Sequence, residues 1–123
     1  MGRIQGDLVV RSFRFAGLIV RLLDDFPNNT KGWVIGKQLI RSGTSIGANI
    51  READHALTDA DFAYKCSIAR KEASETHYWL ELCAHTELLE DEALGPIIEE
   101  ADELVSILSA IVRKTQNRIR ETK

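Results

Sequence analysis

Proline is almost missing from this sequence, with only Pro27 and Pro96 in 123 residues. Because proline interrupts helices and turn-forming dipeptides are also few, the sequence favours long helices over many short strands. Cysteine is equally scarce: Cys66 and Cys83 lie 17 residues apart without a Cys-x-x-Cys pair. That spacing argues against a disulfide framework and for reduced thiols in the cytoplasm. No run approaches the ~18 apolar residues of a membrane span, and the N-terminus lacks the apolar segment of a signal peptide.

Charge is distributed unevenly along the chain, although the net charge is only −3. Residues 1–71 hold 11 basic and 7 acidic residues, and residues 72–112 hold 11 acidic and no basic ones. Residues 113–123 then hold 5 basic residues and 1 acid. With 44% hydrophobic and 28% charged residues, the composition is that of a folded protein, and the length suits a single domain over residues 1–123.

Hydrophobic periodicity predicts four helices, at about residues 7–25, 31–56, 59–89 and 93–117. Long helices with short connections indicate an all-α fold, an antiparallel up-down-up-down four-helix bundle. Both termini and the loop between helices 2 and 3 would then share one end. In helix 1 we expect the core stripe to follow the spacing of Val9, Phe13, Ala16, Val20 and Leu23.

Helix 2 contains glycines in the stretch "IRSGTSIGANIREAD", where each interior glycine costs about 1 kcal/mol relative to alanine. At about 100° per residue, Gly36, Gly43 and Gly47 fall within about 40° of one another, on the apolar side of the helix. We therefore predict that a neighbouring helix packs closely there, with a bulky Phe or Trp filling the groove. The alternative is a kink or a frayed stretch.

The opposite face of helix 2 carries short polar side chains that are unusual on a solvated helix, because Ser and Asn have low helix propensity. They predict a second, polar contact surface, with plain solvent exposure as the alternative. This polar face consists of Gln38, Arg41, Ser42, Ser45, Asn49 and Glu52.

Helix 3 carries two apolar stripes, which is more apolar surface than one small bundle covers, and this pattern predicts a homo-oligomer. The two are rotated by roughly 120° from each other. The first stripe is Phe62, Cys66, Ala69, Ala73, Thr76, Leu80 and Cys83, and the second is Ile68, Trp79, Leu82, Thr86 and Leu89.

Glu75 lies within the second stripe of helix 3, and a buried carboxylate needs a partner. We predict that Arg41 of helix 2 is this partner. Ser42, Ser45 or Asn49 would supply further hydrogen bonds. With Glu52, these residues form the predicted polar network of an oligomer interface.

Two segments, "RSGTSIGANIREAD" and "DFAYKCSIARKEASETHYWLEL", resemble the four-helix-bundle proteins encoded in intervening sequences of bacterial large-subunit ribosomal RNA genes. The resemblance covers about residues 8–112. That family's pattern is Arg-Ser-x-x-Ser-Ile-x-Ala-Asn-Ile-x-Glu, followed by an Asp-Phe start to helix 3, an Ile-Ala pair and a Glu-rich segment. The matching residues are Arg41, Ser42, Ser45, Ile46, Ala48, Asn49, Ile50, Glu52, Asp61, Phe62, Ile68, Ala69 and Glu75.

This resemblance implies a bundle that assembles as a homopentameric barrel. It also implies kinship with the accessory variability proteins of diversity-generating retroelements, basic pentamers that bind a reverse transcriptase and nucleic acid. The family at large has no established activity. This chain differs from the basic relatives, because its pI is about 5.6.

Catalytic and metal-binding patterns are weak. Glu52 and His55 form one Glu-x-x-His pair near a helix end, whereas di-iron bundles need two such pairs and two more glutamates. His77, Cys83 and His85 share no common helix face for zinc. Because no glycine-rich phosphate loop and no serine with an evident His/Asp partner is present either, the sequence predicts no enzyme, no metal, no cofactor and no small-molecule substrate.

The segregated charge is the remaining functional clue. In the predicted bundle, basic residues gather near the termini and acidic ones at the other end, although ordinary helix capping explains part of this separation. The sequence thus predicts a non-enzymatic oligomeric scaffold whose basic end binds RNA, DNA or a nucleoprotein. The alternative is a protein-binding or structural bundle whose acidic end receives a basic partner. The predicted basic end consists of Arg3, Arg11, Arg14, Arg113, Lys114, Arg118 and Arg120.

Overall fold

The computed structural model describes residues 2–122, and no strand occurs among them. The predicted all-helical class with four helices is confirmed. A short 3-10 turn, Leu23–Asp25, follows the first helix. The helices are α1 (Leu8–Leu22), α2 (Thr30–Asp54), α3 (Asp59–His85) and α4 (Asp91–Glu121).

Consecutive helices pack side by side and run in opposite directions. Ser12 of α1 lies against Gly47 of α2, and Ser42 of α2 contacts Thr76 of α3. At what we call the termini end, residues 2–7, the α2–α3 loop and the last turns of α4 meet. At the opposite, loop end, the α1–α2 and α3–α4 connections meet.

Side-chain caps explain where two of the four described helices, α2 and α3, begin. Asn29 Oδ1 accepts from the Gly32 amide at 3.0 Å, and Thr58 Oγ1 accepts from the Asp61 amide at 3.0 Å, so both side chains cap exposed N–H groups. α4 begins at Asp91, two residues before the predicted start at about residue 93, which places Pro96 in its second turn.

α3 ends at His85, four residues before the predicted end at residue 89. Glu87 adopts a left-handed conformation with φ of 57°. Its amide donates to the Ala84 carbonyl at 3.2 Å, and the Leu88 amide donates to the Cys83 carbonyl at 3.0 Å. This bonding pattern closes a helix in the manner usually seen with glycine, so the glutamate concealed the stop in the sequence.

The core stripe of α1 lies one residue earlier than predicted. Phe13 is 63% exposed and Val20 is 49% exposed, whereas Phe15 is 1% exposed. α1 carries two stripes with the same 4-3-4-3 spacing, and the bundle fully buries only one of them, whereas Val9 and Leu23 of the other are partly buried at its two ends. The buried stripe is Leu8, Ser12, Phe15, Ile19 and Leu22.

The glycine stripe of α2 faces α1 closely. A Cβ atom on Gly43 would lie 2.9 Å from Ile19 Cγ1, and one on Gly47 would lie 3.3 Å from the Ser12 carbonyl oxygen. The Phe26 ring lies near Gly36, at 3.3 Å from such an atom, whereas no aromatic ring fills the groove at Gly43. Because α2 is helical without interruption, the close-packing prediction is confirmed and the frayed alternative is excluded.

Gly43→Ala is expected to lower the free energy of unfolding by about 1 kcal/mol, because displacing the buried Ile19 side chain costs more than the gain in helix propensity. Urea denaturation at fixed protein concentration measures this change. Gly17→Ala is the matched control, since its Cβ would meet only Arg21 Nη1, at 3.6 Å. This control is expected to raise stability, and equal effects of the two variants would contradict the close packing.

Candidate interaction surfaces

A cluster of polar side chains lies along the outer seam between α2 and α3, and Arg41 is at its centre. Arg41 Nη2 donates to Glu75 Oε2, and Arg41 Nη1 donates to Glu72 Oε2 at 3.2 Å. Arg41 Nε donates to Gln38 Oε1 at 3.3 Å, and Trp79 Nε1 donates to Glu75 Oε2 at 3.1 Å. The guanidinium therefore joins two carboxylates of α3 within one protomer.

Ser45 and Asn49 share this seam but do not reach Glu75, which differs from the prediction. Ser45 Oγ donates to the Arg41 carbonyl at 2.6 Å, and Asn49 Nδ2 donates to the Ser45 carbonyl at 2.8 Å. Short side chains on a helix readily bond the carbonyl one turn earlier, and that is what both do. The additional bond to Glu75 comes from Trp79 instead.

Ser42 and Glu52 occupy different environments on α2. Ser42 is fully buried, and its Oγ lies 2.9 Å from Thr76 Oγ1, so the two hydroxyls form a polar contact inside the α2–α3 packing rather than on the outer face. Glu52 is exposed and accepts from Lys65 Nζ at 3.0 Å. The structure thus brings Arg41 and Glu75 together but separates Ser42 and Glu52 from them.

At the termini end, two arginines converge on one carboxylate. Arg3 Nη1 donates to Asp59 Oδ1 at 2.7 Å, and Arg118 Nη2 lies 3.4 Å from the same oxygen. Hydrogen bonds from Arg3 and Arg118 lower the pKa of Asp59 below its ordinary range. Arg3 Nε also donates to the Ala56 carbonyl at 2.7 Å, and Arg3 Cζ lies 5.8 Å from the centre of the Phe62 ring.

The other predicted basic residues of α4 lie nearby and are exposed. Lys114 is one turn before Arg118 on the same side of the helix, whereas Arg113 and Arg120 lie on another side. Lys123, which contributes to the basic C-terminal segment, lies outside the described residues. The last turns of α4 thus carry four cations near the termini end of the bundle.

Arg11 lies away from this basic end and holds α1 against α4. Its guanidinium donates to both carboxylate oxygens of Glu100 at 2.7 Å and to Glu103 at 2.9 Å. The hydrogen bonds raise the pKa of Arg11 and lower the pKa of Glu100. Because residues 2–7 extend beyond α1 toward the termini end and Arg11 contacts Glu100, Arg11 is set back from Arg118, contrary to the predicted grouping. Arg14 lies one turn further along α1 and is exposed.

A cleft of about 950 Å³ lies at the loop end, between the end of α1 and the α3–α4 connection. Acidic side chains line most of it, as the charge distribution predicts. Glu100, which belongs to the same acidic segment of the chain, residues 72–112, instead pairs with Arg11. The acidic lining consists of Asp25, Glu87, Glu90, Asp91 and Glu92.

A mainly apolar groove of about 760 Å³ runs between α1 and α2, on the side facing away from the core, and Asp61 and Lys65 of α3 line its rim. Phe13 and Ala16 line it from α1, and Gly47 and Ala48 line it from α2. Arg51 Cζ lies 5.3 Å from the centre of the Phe13 ring. The sequence assigned the α1 side of this groove to the core, so the groove itself was missed.

Comparisons with known proteins show which family this chain belongs to. The sequence model of one family, described as 23S rRNA-intervening sequence protein, matches residues 6–110. This chain belongs to that family. A crystal structure of a protein of unknown function from the S23 ribosomal protein family of Bacteroides thetaiotaomicron is 46% identical and has a TM-score of 0.79, covering 85% of this chain and 96% of that one. A comparison with curated proteins gave no match.

The matched region contains the polar seam and the apolar groove but ends before Lys114 and Arg118. Arg3 precedes it. The cations that meet at the termini end are therefore outside the part that the family description covers. None of the helices within residues 2–122 is long and apolar enough to cross a bilayer.

The residues of the weak metal patterns do not assemble into one site. Within residues 2–122, no three His, Cys, Asp or Glu side chains are arranged to hold a metal ion. Cys83 is buried in the core, and burial raises its pKa to about 11, so its thiol is uncharged at neutral pH. His77 Nδ1 lies 3.3 Å from Glu81, one turn away on α3.

Proposed function

We propose that this protein is a non-enzymatic scaffold that assembles from copies of itself, with the apolar groove between α1 and α2 as one contact surface. The exposed apolar lining of this groove carries the proposal. Phe13 is 63% exposed and Leu57, at the rim, is 92% exposed. Exposed apolar patches that polar residues surround are typical of interaction sites on folded proteins.

A second copy is the partner that best fits the groove, because the chain also carries a separate exposed aromatic ridge. Tyr64 and Tyr78 lie on the solvent side of α3, with Lys71 between them. Asp61 at the groove rim offers an opposite charge to Lys71, since the rim cation Lys65 pairs with Glu52. Contacts between two different surfaces of identical chains close into a ring when the rotation permits. The pentameric barrel that the family resemblance implies is a ring of this kind.

The polar seam between α2 and α3, which the sequence predicts as part of an oligomer interface, gives this proposal little support. Arg41, Glu72 and Glu75 already satisfy one another within a protomer. An interface built on them would have to desolvate charges that are already paired, which gains little. The groove, by contrast, gains free energy when apolar surface leaves water.

Ala48→Glu tests the assembly, because it places a carboxylate on the exposed α2 side of the groove. Light scattering is expected to give a multiple of the 13.8 kDa chain mass for the wild-type protein and a lower mass for the variant. Ala110→Glu is the matched control, since Ala110 is an exposed alanine of α4 outside the groove. A monomeric wild type, or two variants with the wild-type mass, would refute the proposal.

The second candidate function is binding of RNA, DNA or a nucleoprotein at the termini end. Its support is the convergence of Arg3, Lys114 and Arg118 on one cleft, with Arg113 and Arg120 exposed beside it. Such a group of cations attracts phosphates through counterion release, so binding would weaken with salt. The alternative, a basic protein partner at the acidic loop end, rests on the acidic cleft there.

A further inference from the structure

The termini end contains a defined cleft of about 440 Å³, formed by three separate segments. Arg3 comes from the N-terminal residues, Asp59 is the first residue of α3, and Lys114 and Arg118 lie one turn apart on α4. The apolar part of the lining includes Phe62 and Ile111. A concave site with an apolar lining and a few converging charged groups is the usual form of a small ligand site.

The cleft is held in shape before any ligand arrives. Arg3 is fixed on three sides, by the Ala56 carbonyl, by Asp59 and by the Phe62 ring. Arg118 Nε and Nη2 each lie 3.4 Å from an Asp59 oxygen. Because both arginines are fixed in place by Asp59, a ligand that binds them loses less side-chain entropy.

The charges of the cleft do not balance. Three cations, Arg3, Lys114 and Arg118, oppose the one carboxylate of Asp59, which leaves a net charge of +2. Lys114 has no acidic partner within residues 2–122.

We propose that this cleft binds the terminal phosphate monoester of a nucleic-acid strand. A phosphate monoester carries a charge of about −1.5 to −2 at neutral pH, which matches the excess charge of the cleft. A phosphodiester inside a strand carries only about one negative charge, so the cleft selects strand ends. This inference rests on the second candidate function, because it gives that basic end a specific ligand.

Fluorescence anisotropy with one short single-stranded RNA tests the proposal, using the RNA with a 5′-phosphate, with a 3′-phosphate, and with neither. The wild-type protein is expected to bind one phosphorylated RNA about tenfold more tightly than the unphosphorylated one, as charge-assisted hydrogen bonds of this kind provide. Lys114→Gln combined with Arg118→Gln is expected to abolish this preference. Arg113→Gln combined with Arg120→Gln is the matched control. It is expected to weaken the binding of all three RNAs equally and to keep the preference for the phosphorylated RNA.

The other possible results distinguish a failure of the cleft proposal from a failure of nucleic-acid binding in general. If wild-type protein binds all three RNAs equally, the basic end binds nucleic acid but the cleft proposal is overturned. If no RNA binds while inorganic phosphate shifts the backbone NMR signals of Lys114 and Arg118, the dianion site stands with a small phosphate ester as its ligand, and the nucleic-acid function fails. If neither RNA nor phosphate binds, both proposals fail.

Discussion

Phe15→Ala is expected to lower the free energy of unfolding by about 3–5 kcal/mol, whereas Phe13→Ala is expected to change the folding of a protomer by less than about 1 kcal/mol. The two residues are both phenylalanine and lie two positions apart on α1. Phe15 is buried in the core, and its removal leaves a cavity there. Phe13 lies in the outer groove, so its removal leaves no buried void.

Urea denaturation of both variants, at several protein concentrations, measures this difference and separates folding from association. The stripe predicted from the sequence has Phe13 as the core residue, so it predicts the larger loss of stability for Phe13→Ala. A larger loss for Phe13→Ala than for Phe15→Ala at every concentration would therefore contradict the packing of α1.

Arg11→Gln is expected to lower stability by about 2 kcal/mol at neutral pH, because it removes charge-assisted hydrogen bonds to Glu100 and Glu103. Both Arg11 and Glu100 have side chains that are less than a third exposed. α1 touches α4 less than it touches α2, so this ion pair is a principal tie on that side of the bundle.

The Arg11–Glu100 pair also makes the free energy of unfolding depend on pH. Arg11 lowers the pKa of Glu100 below its ordinary value of 4.5. A carboxyl group with a lowered pKa stabilises the fold above the ordinary value, and this contribution is lost as the pH falls through the lowered pKa. The difference between wild type and Arg11→Gln is therefore expected to shrink below about pH 4.

Denaturation at a series of pH values measures this convergence. Arg14→Gln is the matched control, because Arg14 is an exposed arginine one turn further along α1. A constant difference between wild type and Arg11→Gln from neutral to acid pH would show that the pair acts through packing rather than through charge.

The sequence predicts the number and type of helices because periodicity and caps are local properties. Asn29 and Thr58 could be found as caps from residue type alone. The core stripe of α1 could not, since two stripes of equal spacing compete and only the neighbouring helices decide between them. The end of α3 was missed because Glu87 occupies a left-handed position that glycine usually marks.

The interaction surfaces were predictable only where complementary charges stand on facing helices. Arg41 and Glu75 meet that condition, and they are in contact. The roles of Glu72 and Asp59 depend on the relative register of two helices, which periodicity does not provide. Arg11 was placed at the basic end because the sequence does not reveal that residues 2–7 extend past α1.

The α1–α4 side of the bundle differs from the other sides in the sequence separation of the residues that it joins. Arg11 and Glu100 are separated by 89 positions, whereas the remaining sides join helices that follow one another directly. Helical hairpins with nearby partners form quickly, because little chain entropy is lost in closing a short loop. We therefore expect the α2–α3 and α3–α4 hairpins to form early during folding, and α1 to close against α4 last.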